Sequence, residues 1–124
     1  MRNLTMMTDL YQLTMMYGYF KHGMAGNEGV FDVFFRPKSN ITYAIAAGLQ
    51  SVIDYINGLH FSEQDLAYLR SLGLFDEAFL AYLGKLRFTG EIYAMREGTV
   101  VFPYEPLVRV RAPIMQAQLI ETAI

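Results

Sequence analysis

Apolar residues recur at helical spacing near the start of the chain, where "TDLYQLTMMYGYF" places Leu10, Leu13, Met16, Tyr17 and Phe20 along one stripe. The spacing predicts a helix with Thr8 as N-cap, Asp9 in its first turn and Gly23 just past its end. The pattern then shortens. "VFDVFFR" puts Phe31, Val33 and Phe35 on one face of a strand whose other positions are also mostly apolar, so burial on both faces is expected. "PKSNIT" reads as a loop, because Pro37 removes a ladder donor and Ser39 and Asn40 favour turns.

Helical spacing returns in "AIAAGLQSVIDYIN", residues 44–57, with Leu49, Val52, Ile53 and Ile56 on one stripe and Gly58 closing the element. Ser62 followed by Asp65 resembles a capping box, and Leu66, Leu69 and Leu72 mark a buried face that stops at Gly73. Asp76 caps "EAFLAYLGKL". After Lys85 the chain turns to Val, Ile, Tyr and Phe, broken by Gly90, Gly98, Pro103 and Pro106, which predicts a meander of three or four short strands. Arg109 and Arg111 alternate with Val108 and Val110 and read as a solvent face. Pro113 stands at a helix N1 position, and Ile114, Leu119 and Ile120 point inward from "IMQAQLIETAI". That helix meets no stop signal before Ile124, so the expectation is a cut through a longer protein. The order of elements gives an α+β class: helices with a small, mostly antiparallel sheet.

Composition narrows the function classes. The chain is 53% hydrophobic and only 18% charged, against a usual charged share of about 25%. A domain of 124 residues cannot hide that much apolar surface alone, so it oligomerises or belongs to something larger. A net charge of -2 lacks the basic footprint of a nucleic-acid binder. Absence of cysteine removes disulfides, thiolate metal sites and a cysteine nucleophile. The opening "MRNLTMMTDL" has no small-residue cleavage site and no run of about 18 apolar residues exists, which argues against a leader or a membrane span and makes the cytoplasm the default.

Few residues suggest chemistry. His22 and His60 are far apart in sequence and match no metal-ligand spacing, and the carboxylate pairs Asp76–Glu77 and Glu63–Asp65 sit at helix starts where capping accounts for them. Arg36, followed by Pro37 and Lys38 at a strand end, is a candidate anion contact.

In order along the chain, "TDLYQLTM", "VFDVFFR", "YAIAAGL", "LRSLGLFDEAFLAYL", "FTGEIYAMREGTVVFPYEPLVRVRAP" and "QAQLIETA" resemble the amino-terminal part of nicotinate phosphoribosyltransferase. One departure is visible: Ser39-Asn40-Ile41-Thr42 stands where that family usually carries a glycine pair.

The resemblance implies a single amino-terminal domain over residues 1–124, with residues 113–124 beginning a helix that leads into a TIM-type catalytic barrel absent from this chain. It also implies an enzyme joining nicotinate to phosphoribosyl pyrophosphate for NAD salvage, driven by ATP through a phosphorylated histidine outside these residues. Mg2+ and ATP are implied for the full-length enzyme and none is expected on this chain; a homodimer is expected, with no nucleic-acid or membrane partner. By motif, Tyr11 stacks on the nicotinate ring across a dimer interface, with Asp9 and Thr14 flanking it. From the residues alone the alternative stays open: a small non-catalytic α/β interaction or dimerisation module.

Overall fold

A computed structural model describes residues 3–38 and 40–124. Ser39 of the expected loop, and the first two residues of the segment read for a leader, lie outside the described residues. The elements are α1 (Leu10–Lys21), β1 (Glu28–Val33), β2 (Ala44–Ile45), α2 (Leu49–Asn57), α3 (Glu63–Ser71), α4 (Glu77–Lys85), β3 (Glu91–Ala94), β4 (Val100–Val101), β5 (Val108–Pro113) and α5 (Ile114–Ile120). The α+β class holds, and no barrel closes among the described residues.

The main sheet runs β1-β5-β3, antiparallel throughout, with β5 in the middle. Its register aligns Phe31, Val110 and Ile92 across the three strands on the face that meets α5. The opposite face carries Asp32, Arg109 and Tyr93 in the next rank. Because side chains alternate along a strand, this one register gives the sheet an apolar inner and a polar outer surface. Arg109 and Arg111 are exposed as expected; Arg109 makes a two-pronged contact with Asp32 at 2.7 and 2.8 Å, and Arg111 reaches Glu28 at 2.9 Å. The Arg109 guanidinium holds the Asp32 carboxyl below its usual range.

Several expectations change. β1 is not buried on both faces: its burial alternates, and Val30 is 55% exposed because the strand lies at a sheet edge with its outer face in solvent. Phe34 and Phe35 lie past its end. The helix expected over residues 44–57 is only α2, since Ala44–Ile45 instead pair with Val100–Val101 in a separate two-stranded sheet. Between them Gly48 adopts φ +96°, a left-handed conformation that glycine enters without a Cβ penalty. Glu97 then caps α2 from outside, its Oε1 accepting the backbone N–H groups of Gly48 at 3.0 Å and Gln50 at 3.2 Å. On α2 the buried residue is Tyr55, whereas Ile53 faces outward. The meander is also revised: three strands form, but β5 inserts between β1 and β3 while β4 leaves to join β2.

The α3–α4 pair follows the sequence closely. Ser62 and Asp65 form a reciprocal capping box, with Ser62 N–H donating to Asp65 Oδ2 at 2.8 Å, and Asp76 Oδ1 accepts the Phe79 N–H at 2.9 Å. Asp76 also accepts from the Tyr17 hydroxyl at 3.1 Å and from Lys21 Nζ at 2.8 Å, which fastens α1 to the front of α4. Between them Phe79 is fully buried, its ring 5.1 Å from Tyr17 and 5.5 Å from Phe20. Burial of one such side chain contributes about 1.5–3 kcal/mol. Helix α5 is buried from Met115 to Ile120, between the sheet and α1, so it is a core helix rather than an amphipathic one. Pro113 falls at its N-cap, one position before the expected N1, and Leu119 and Ile120 face inward as expected while Ile114 is half-buried.

Candidate functional site

The front of α1 is shaped by its neighbours. Asp9, not Thr8, occupies the N-cap: its extended backbone opens the helix, and its N–H donates to Gln12 Oε1 at 3.3 Å. Thr8 sits one position earlier, its hydroxyl facing Gln12 Oε1 and the Leu119 carbonyl. A polar residue placed one step outside the helix can still serve it through a side-chain partner.

From this start, Leu13 and Met16 turn into the core. Tyr11 turns the other way and is 52% exposed, in a stripe with Met7, Leu10 and Met15 that the described residues leave uncovered. Thr14 donates its hydroxyl to the Tyr11 carbonyl at 2.9 Å, a bond internal to the helix. The Asp9 carboxylate accepts from the Thr122 hydroxyl at 3.1 Å and so looks toward the end of α5. Asp9, Tyr11 and Thr14 thus share the first turns of one helix, but each has a different outlook.

Arg36 belongs elsewhere, in the segment after β1. Its guanidinium lies 5.8 Å from the Phe34 ring centre, and that ring is 5.9 Å from Tyr104. Tyr104 has φ 65°, unusual for a residue with a Cβ, and its N–H donates to the Phe35 carbonyl at 3.1 Å. No hydrogen bond or ion pair among the described residues joins Arg36 to the α1 group.

His22 caps the C-terminus of α1 through its backbone, and the His60 ring contacts the Gly58 carbonyl at 2.7 Å. Among the described residues no three His, Cys, Asp or Glu side chains converge on one point.

Two features escaped the sequence reading. Gln12 is completely buried and hydrogen-bonded to residues at both ends of the domain; its only signal was an amide on the apolar stripe side of α1. Tyr55 lines a cleft of about 410 Å³ together with Val33, Val52, Val101 and Leu107. Its hydroxyl is buried without a hydrogen-bond partner among the described residues, and burial pushes the phenol up to about 12.

Comparison with known proteins places this geometry. The family model described as the nicotinate phosphoribosyltransferase N-terminal domain matches residues 6–124. The chain is 48% identical over 116 residues to nicotinate phosphoribosyltransferase pncB2 of Mycobacterium tuberculosis, covering 93% of this chain and 25% of that protein. It is 44% identical over 124 residues to the nicotinate phosphoribosyltransferase of Bacillus subtilis, covering 98% of this chain and 25% of that protein. The crystal structure of human nicotinic acid phosphoribosyltransferase superposes with a TM-score of 0.85 at 34% identity, over 94% of this chain and 24% of the human one. The chain spans about a quarter of the length of the curated relatives it matches. A family match over nearly every residue, joined to a shared fold, assigns the chain to the nicotinate phosphoribosyltransferase family, as its N-terminal domain.

Proposed function

We propose that this chain serves as the amino-terminal part of a cytoplasmic enzyme that condenses nicotinate with phosphoribosyl pyrophosphate, with ATP assistance, to give nicotinate mononucleotide for NAD salvage. The observation that carries this reading is Tyr11: an aromatic ring on the family's "TDLY" motif, at the front of the first helix and half exposed. A flat apolar face suits a flat heteroaromatic ring, and such a pair is worth about 0.5–1.5 kcal/mol beyond area burial. In this reading Tyr11 stacks on nicotinate held by a second subunit, Asp9 and Thr14 set its surroundings, and Arg36 offers a cation to an anionic group. The uncovered stripe of Met7, Leu10 and Met15 supports a homodimer contact beside it. The same stripe would also serve a non-catalytic dimerisation module.

Among the described residues no three His, Cys, Asp or Glu side chains converge to hold Mg2+, and Asp32, Asp76 and Glu77 are engaged with Arg109, Lys21 and Arg70.

The test has two arms. The 124-residue chain alone is expected to form no nicotinate mononucleotide, and turnover by it would overturn the division of labour. In a chimera where this chain replaces the matching quarter of a full-length relative, Tyr11→Ala is expected to raise the KM for nicotinate roughly threefold to tenfold, the range set by the stacking energy. An unchanged KM and kcat would refute stacking.

A further inference from the structure

Tyr11 depends on its backbone for placement, because its side chain is half exposed. The first turn of α1 carries two exposed apolar side chains, Leu10 and Tyr11, and helix ends fray unless something holds them. What holds this one is polar. We propose that Gln12, together with Glu121 and Thr122, is a positioning device that fixes the first turn of α1 to the end of α5 and thereby sets the placement of the Tyr11 ring. This rests on the stacking reading of Tyr11 and deepens it.

Gln12 is 0% exposed, and a buried amide must find partners for both ends. Its Nε2 donates to Glu121 Oε2 at 3.1 Å. Its Oε1 accepts from the Thr122 hydroxyl at 2.6 Å, from the Asp9 N–H at 3.3 Å and from the Thr8 hydroxyl. The amide has one workable orientation, since a carboxylate only accepts and a backbone N–H only donates. Glu121 is steadied in turn by Gln118 Nε2 at 2.9 Å, and the single Thr122 proton is shared between Gln12 Oε1 and Asp9 Oδ2. Residues 9 and 12 are thus both tied to α5, and Tyr11 lies between them.

Apolar packing of Leu13 and Met16 holds α1 against the core but has no directional preference. An amide bonded at both its nitrogen and its oxygen fixes both the rotation and the axial position of the helix. Gln12→Glu alters little in shape, yet sets a carboxylate against Glu121. Adding Glu121→Gln returns an amide N–H to face the introduced carboxylate, with the pairing reversed.

The experiment uses the chimera, measuring KM for nicotinate, KM for phosphoribosyl pyrophosphate and kcat. Gln12→Glu is expected to raise nicotinate KM about tenfold, within the roughly hundredfold that an ångström of misplacement can cost, while KM for phosphoribosyl pyrophosphate stays within about twofold. The double variant with Glu121→Gln should return to within about threefold of the parent, given that neighbours in one network couple non-additively. On a Tyr11→Ala background Gln12→Glu should add nothing, which a merely structural role would not produce. Thr122→Val, a milder change, should give a smaller rise that also disappears on that background. Additive effects, failure of the rescue, or an unchanged nicotinate KM where Tyr11→Ala raises it would each overturn the positioning role. An unchanged KM in Tyr11→Ala itself would instead defeat the stacking reading and this one with it.

Discussion

Replacing Tyr55 by Phe in the 124-residue chain should stabilise it. Tyr55 is only 8% exposed, and its hydroxyl is buried with no hydrogen-bond partner among the described residues. The folded state therefore strips water from a polar atom and returns nothing, a penalty of about 1–3 kcal/mol. Tyr55→Phe keeps the ring and deletes that atom, and the one-atom gap left behind offsets part of the gain. A net gain of about 1 kcal/mol is expected, which corresponds to a Tm rise of about 3–5 °C for a chain of this size. The pH dependence gives an independent readout. The phenol is raised from 10.0 to about 12, so the folded state holds its proton more tightly than the unfolded one. Stability is therefore kept in full below pH 10 and is lost as pH rises from 10 toward about 12, where the unfolded chain ionises first. Thermal melts followed by circular dichroism at pH 7 and across this alkaline range would show a parent chain weakening more steeply than Tyr55→Phe. A Tm drop of more than about 2 °C in the variant at pH 7 would refute the reasoning, since it would require a hydrogen bond worth making.

Two further substitutions probe the scaffold. Gly90→Ala would drive a Cβ to 2.6 Å from the Arg111 carbonyl and 2.8 Å from the Phe88 ring, against the central strand, so its urea midpoint should fall by the equivalent of about 1–3 kcal/mol; an unchanged midpoint would sink that view. Asp76→Asn keeps a capping side chain but loses the ion pair with Lys21, whose contact holds the Asp76 carboxyl below 3.8. The parent's advantage should therefore be full above about pH 5 and shrink as the pH falls below that value, and acid titrations of the two proteins that run parallel would contradict it.

How far these features could be read in advance depended on the range of the interactions that decide them. The starts of α3 and α4 are written locally, in Ser62 with Asp65 and in Asp76 with the Phe79 N–H, so the sequence located both. Ala44 and Ile45 have helix-like neighbours, but their fate is decided by Val100 and Val101 on a distant strand, and spacing along the chain carries no trace of that pairing. The two-faced apolar pattern of β1 suggested full burial because Val30 and Phe34 are greasy; only the sheet order reveals an edge. At the candidate site, the motif singled out Tyr11 with Asp9 and Thr14, whereas Gln12 shows locally only as an amide on the apolar side of α1. A glutamine in a helix is ordinary until Glu121 and Thr122 are brought to it from the other end of the chain.

The position of β5 bears on how such a domain is made. It is the last of the described strands in sequence and the middle one of the main sheet, and α5, which follows it directly, packs against α1. A nascent chain leaving the ribosome has β1 and β3 available early, but neither has a neighbour to bond until Val108–Pro113 has emerged. Closure therefore waits for contacts between the two ends of the chain, the slow, non-local kind. Until then two strand edges stay unpaired beside exposed apolar surface, the condition in which a folding chain is most prone to aggregate.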